Sequence, residues 1–170
     1  KQEKKKEELI FLEKIFKKIK NPTLYEIFDY AEFLKNNEKF KESIKYYSKV
    51  INIAGKKHDL YGQLVEGRGV AYERSDQWNK AETDLLNALN VSPDDAYIIN
   101  YLAYTWIEKG ININKSLDML KRANTLRPSD GYITDSLGWA FFKLKNYKEA
   151  KKYLQLAVKL MASDPIINDH

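Results

Sequence analysis

The sequence predicts an all-α chain, an α-solenoid in which antiparallel helix pairs stack one after another. Three observations predict it. Small residues recur at nearly one interval along most of the 170 residues. Between them, apolar residues keep the three-and-four spacing of a helix face. Turn-forming residues divide each interval and separate it from the next.

The interval is measurable. Ala31, Gly69, Ala103 and Gly138 step by 38, 34 and 35 residues. Ser43, Ala81, Ser116 and Ala150 step by 38, 35 and 34, as do Val50, Ala88, Ala123 and Ala157. A fourth column of bulky residues (Phe40, Trp78, Ile113 and Tyr147) stands three before each member of the second column. It opens the second helix of each pair and can plug the turn before it. The small columns have a physical purpose: slim side chains let two helix backbones approach. Glycine inside a helix loses up to about 1 kcal/mol against alanine. Its use at Gly69 and Gly138 therefore predicts that packing outweighs propensity there.

Each element follows in order. Residues 3–20 form an amphipathic helix carrying Leu9, Leu12, Phe16 and Ile19, so 1–22 is a cap or half repeat. Repeat one, 23–58, opens at a capping box of Thr23 and Glu26. Its first helix carries Ile27, Tyr30, Ala31 and Leu34, and its second Ile44, Tyr47 and Ile51, with Asn36-Asn37 between. The loop Ala54 to Asp59 accounts for the long first step. Repeat two, 59–94, turns at Ser75-Asp76, buries Leu85, Ala88 and Leu89, and closes at Pro93. Repeat three, 95–129, places Ile99, Leu102, Ala103 and Trp106 on one face, turns at Gly110, and closes at Pro128. It carries one extra residue between Gly110 and Asn114. Repeat four, 130–163, turns at Lys145-Asn146 and ends through Leu154, Ala157 and Val158. Residues 164–170 have the register of a truncated fifth repeat, with Pro165 suited to a helix start. Both ends of the chain are expected to be cut, since the fifth-repeat register stops after six residues and residues 3–20 suit the second helix of an earlier repeat.

Composition narrows the function. The chain has 44% hydrophobic and 31% charged residues, enough to build a core. It has no cysteine, so disulfides and thiolate metal sites are excluded. The net charge is +5, but eight lysines and four glutamates in residues 1–20 supply +4 of it, which leaves +1 for the other 150 residues. Nucleic-acid binding needs a basic stripe to displace counterions, and the body of the chain lacks one. No catalytic signature appears: G-x-S-x-G, H-E-x-x-H, G-x-G-x-x-G and the P-loop are all absent. His58 and His170 have no partner at ligand spacing, so no metal and no cofactor is expected. The expectation is a chain that is not an enzyme.

These residues resemble the tetratricopeptide repeat family from residue 23 onward. The signature is fullest in Gly69, Tyr72, Ala81, Leu85, Ala88 and Pro93, and again in Leu137, Gly138, Phe141, Ala150, Leu154 and Ala157. The stretches N-Y-L-A-Y and R-P-S-D-G-Y-I-T-D-S-L-G-W-A resemble multi-repeat proteins of Gram-negative bacteria, which are often exported or lipid-anchored. There are departures. Ile27, Val65, Ile99 and Thr134 stand where the first-helix Trp is usual, Ser43 replaces a small alanine, and Arg68 takes an apolar position. The resemblance implies a right-handed superhelix whose first helices line a concave groove, and a role as a protein-binding scaffold.

By register that groove would hold Tyr25, Phe28, Glu32 and Lys35, then Gln63, Glu66, Val70 and Glu73. It would continue through Tyr97, Asn100, Tyr104 and Ile107, then Tyr132, Asp135, Trp139 and Phe142. Such a surface suits a protein or peptide with apolar anchors and basic residues. The chaperone carboxylate clamp does not fit, because Phe28 and Glu32 occupy its cation and amide positions. Two other roles are open at this point: self-assembly through open solenoid ends, and service as a regulatory arm of a larger enzyme.

Overall fold

The computed structural model describes residues 10–16 and 18–161, and these are helical with no strand. The helices are α1 (residues 10–16), α2 (Leu24–Asn36), α3 (Phe40–Ala54), α4 (Tyr61–Glu73), α5 (Trp78–Val91), α6 (Ala96–Glu108), α7 (Ile113–Leu126), α8 (Gly131–Lys143) and α9 (Tyr147–Met161). The all-α class of paired helices expected from the sequence is the one found. Leu9 and the fifth-repeat segment 164–170 lie outside the described residues.

The chain divides after Val91 into two compact units. In the first, α2 packs on α3 and α4, α3 on α4, and α4 on α5. Its core gathers Ile27, Ala31, Tyr47, Val50 and Leu64. The α1 helix is fastened by aromatics: the Phe16 ring stacks on Tyr30 at 3.9 Å and meets Tyr46 edge-on at 5.6 Å. In the second unit, α6 pairs with α7 and α8 with α9, while α8 also packs on α6 and α7. Its core gathers Ala103, Ile107, Leu120, Leu137, Ala140, Phe141 and Ala150.

The small-residue columns lie at the helix crossings. Ala31, Ala81, Ala88, Ala103, Ala123 and Ala157 are wholly buried, Ala150 nearly so, and Gly69 and Gly138 are buried with them. A Cβ on Gly69 would stand 3.1 Å from Leu85 Cγ and 3.3 Å from the Ala81 carbonyl. Ser43 is small enough for its column and adds a bond there: its hydroxyl donates to the Ala31 carbonyl at 2.9 Å, tying α3 to α2.

Caps set the helix starts. The Thr23 hydroxyl accepts from Glu26 N at 3.2 Å, while the Glu26 carboxylate accepts from Thr23 N at 2.7 Å. That bonding favours the ionised carboxylate and lowers the Glu26 pKa, with the Thr23 N–H the larger cause. Asp95 and Asp130 cap α6 and α8 by accepting from Tyr97 N, Ile98 N and Ile133 N.

The turn inside each pair is left-handed at one repeating position, seven residues after the first small column: Glu38, Asp76, Gly110 and Lys145, with φ of 61°, 60°, 70° and 61°. Only the third pair uses glycine there. The extra residue of that pair is taken up by a second left-handed residue, Asn112, at φ 50°. A non-glycine residue held in this region costs about 1–2 kcal/mol, part of which glycine returns through its greater unfolded freedom. Lys145→Gly is therefore expected to stabilise the chain by about 0.5–1 kcal/mol, raising the melting temperature by roughly 1–4 °C. A calorimetric scan of the variant against the parent checks it.

Candidate functional site

The first helices of the pairs carry the residues expected to meet a partner. In the first unit, α2 presents Tyr25, Phe28, Glu32 and Lys35 at successive turns. Tyr25 is well exposed, and Phe28 is half-buried beside the Tyr47 ring at 6.3 Å. Glu32 is already engaged. Lys35 Nζ donates to its carboxylate at 2.8 and 2.9 Å, and the Tyr47 hydroxyl donates to it from α3. Tyr47 is buried, and burial raises its pKa far above the ordinary phenol value; the Glu32 bond and the charges of Glu32 and Glu66 add to this.

Tyr47 also explains Gly67. A Cβ there would lie 2.5 Å from the Tyr47 hydroxyl oxygen, so Gly67 makes room for a ring that reaches under the α2 and α4 faces. On α4, Gln63 is exposed, while Glu66, Val70 and Glu73 are partly buried. Glu73 lies 3.6 Å from Arg74 Nε. The acids Glu32 and Glu73 of this unit thus already face cations of the chain itself.

The second unit differs. On α6, Tyr97 and Tyr104 are exposed and Asn100 is partly buried between them. Ile107 corrects the expected groove set: it is 2% exposed and belongs to the core with Leu120 and Leu137. The reason is register, because Ile107 lies one turn after Ala103 and continues the buried line rather than the open one. On α8, Tyr132 and Phe142 are exposed, and Asp135 and Trp139 are partly buried.

Trp139 is held in place on several sides. Its indole N–H donates to Glu108 at 2.5 Å, its ring stacks on Phe142 at 5.2 Å, and Lys143 Nζ sits 4.8 Å from its centroid. Tyr104 lies close enough to two acids to sense them. Burial raises its pKa first, and the charges of Glu108 and Asp135 raise it further. Burial also raises the pKa of Asp135, whose carboxylate has neither a hydrogen bond nor an ion pair among the described residues. Asn100 Oδ1 is sealed from solvent and has no donor.

Three residues of consequence were not singled out as site residues from sequence. Glu108 fixes Trp139, and Tyr47 fixes Glu32. Asp84 answers the unusual Arg68, whose guanidinium donates to it at 2.6 and 2.9 Å and to Ser48 Oγ at 3.1 Å. A signal for Asp84 exists in the sequence. It stands three after Ala81 and four before Ala88, on the buried line, where an acid needs a partner.

Among the described residues, no group of three histidine, cysteine or acidic side chains is placed to hold a metal ion, and no helix is long and apolar enough to cross a membrane.

Comparison with known proteins follows from this geometry. The tetratricopeptide repeat family model matches residues 27–57 and 136–163, which fall on the first and fourth helix pairs. A TPR repeat-containing protein of Pseudomonas aeruginosa is 26% identical over 136 residues, covering 76% of this chain and 21% of its own length. The chain thus spans about a fifth of that relative. Among solved structures, MamA 41-end from Desulfovibrio magneticus RS-1 superposes with a TM-score of 0.74 at 17% identity, over 95% of this chain and 88% of that one. A further crystal structure of MamA gives 0.72 at 16% identity, over 88% and 84%. At such identities the likeness shows the fold alone.

Proposed function

We propose that this chain, which the tetratricopeptide repeat family model matches over residues 27–57 and 136–163 and which is similar to a TPR repeat-containing bacterial protein, is a non-catalytic scaffold that holds a partner peptide on the open faces of its first helices. The observation that carries this reading is the α6–α8 face. There Tyr97, Tyr104 and Tyr132 stay between 38% and 55% exposed although large aromatic side chains gain most by burial. Exposed aromatics grouped on one face are the usual anchors of a protein contact. Proteins of this fold typically bind other proteins rather than catalyse.

An extended or helical segment would lay apolar side chains against these rings. Tyr104→Ala combined with Trp139→Ala is expected to weaken binding to an arrayed library of twelve-residue peptides by at least about tenfold, or about 1.4 kcal/mol. The far-UV helical signal should persist, because both residues lie outside the buried columns. Library binding that is unchanged in the double variant would reject this face.

A further inference from the structure

On the α6–α8 face the Asp135 carboxylate has no donor among the described residues, and the Asn100 amide oxygen, sealed beneath that face, has none either. Asn100 and Tyr104 are one helical turn apart on α6, and Asp135 and Trp139 are one turn apart on α8. The two pairs occupy equivalent places in adjoining repeats, since Asn100 and Asp135 are both three residues before the small columns at Ala103 and Gly138. Packing of α6 on α8 brings the two stripes side by side, close enough for the Asp135 charge to act on the Tyr104 hydroxyl.

The local cations are occupied elsewhere. Lys143 lies over Trp139 and 3.6 Å from Glu108, Arg127 lies over the Tyr97 ring at 5.4 Å, and Lys115 lies over Trp106 at 5.0 Å. A carboxylate that is partly desolvated and unpaired is costly, and two other partly or wholly buried carboxylates have cations: Asp84 has Arg68 and Glu32 has Lys35. The group that would complete the face is a cationic N–H donor on an apolar stem. Lysine and arginine carry such a stem, which can lie along tyrosine rings while the charged head reaches a carboxylate.

We propose that Asp135 is the position at which this face reads a lysine or arginine side chain of the bound segment. This rests on the scaffold reading above and adds the chemistry of the partner. Asp135 selects and the aromatics anchor, so the two contributions separate by substitution.

The test uses peptide pairs from the same library, each basic peptide against its counterpart with Lys or Arg replaced by glutamine, titrated by fluorescence anisotropy. The parent protein is expected to prefer the basic member by tenfold or more. Asp135→Asn keeps the side-chain shape and should reduce that preference to within about threefold. Its melting temperature should not fall, because the carboxylate it removes has no partner to lose. Tyr104→Ala with Trp139→Ala should weaken both members alike. If Asp135→Asn retains the full preference, or if acidic peptides bind best, the assignment of Asp135 fails while the scaffold reading stands. If the parent binds no library peptide better than the aromatic double variant does, both fail.

Discussion

Asp84→Ala is expected to destabilise the first unit by about 3 kcal/mol. Removing one member of a buried ion pair costs about 3–5 kcal/mol because the other charge is left without a counterion. The Asp84 and Arg68 side chains are 5% and 19% exposed, so some rehydration of Arg68 places the value at the lower end. The geometry is bidentate, with Nε and Nη2 donating to separate carboxylate oxygens. Burial works against the Arg68 charge, yet the Asp84 bond and charge outweigh it and raise the pKa. The Tyr72 ring 5.7 Å away adds a further face to the guanidinium.

Repeat arrays unfold unit by unit, so the loss should be read locally. Hydrogen exchange of the α4 and α5 amides reports it, while α8 and α9 amides serve as reference. Arg68→Met with Asp84→Leu should recover most of the loss, since an apolar pair of similar volume removes the desolvation cost along with the attraction. If Asp84→Ala exchanges like the parent, the pair contributes no stability.

The second large effect is expected at Gly138. A Cβ at this position would lie 2.8 Å from Leu154 Cγ, 2.9 Å from its Cδ2 and 3.0 Å from its backbone nitrogen. The side chain can turn away, but the backbone of α9 cannot without separating α8 from α9. Gly138→Val is therefore expected to cost about 3 kcal/mol by overpacking, well beyond the helix propensity it gains. Gly138→Ala should fall between this and the parent.

Gly131 provides the contrast. Its Cβ would meet Met161 Cγ at 2.3 Å and Met161 Sδ at 3.2 Å, atoms of one flexible side chain that can swing aside. Gly131→Ala should thus change stability little. Urea unfolding of the three variants, followed by Trp106 and Trp139 fluorescence, checks the order. Equal stability of Gly138→Val and the parent would mean that the α8–α9 crossing is looser than its spacing indicates.

The repeat columns made the helix pairs readable because spacing alone identifies which residues face a neighbouring helix. Thr23 and Glu26 gave the α2 start for the same reason: a cap is a contact between residues near in sequence. Asp95 and Asp130 carry the same kind of signal, an acid placed just before an apolar run, and each caps its helix. The candidate faces were legible only as helix stripes. Ile107 stands three after the open Tyr104 and four after the buried Ala103, so spacing alone suits either stripe, and packing puts it on the buried one. The Glu32–Lys35 pair follows from a three-residue spacing on one helix.

By itself the sequence determined that this chain is a series of helix pairs, where each pair turns, and which small residues let the helices touch, because all of these follow from periodicity along one strand of covalent spacing. Only the tertiary structure decided which polar groups find partners. Arg68 meets Asp84 across sixteen residues, and Tyr47 reaches Glu32 across fifteen. Asp135, by contrast, is left without a partner on an open aromatic face. Electrostatic pairing depends on distance through space and on burial, and neither is encoded in the period.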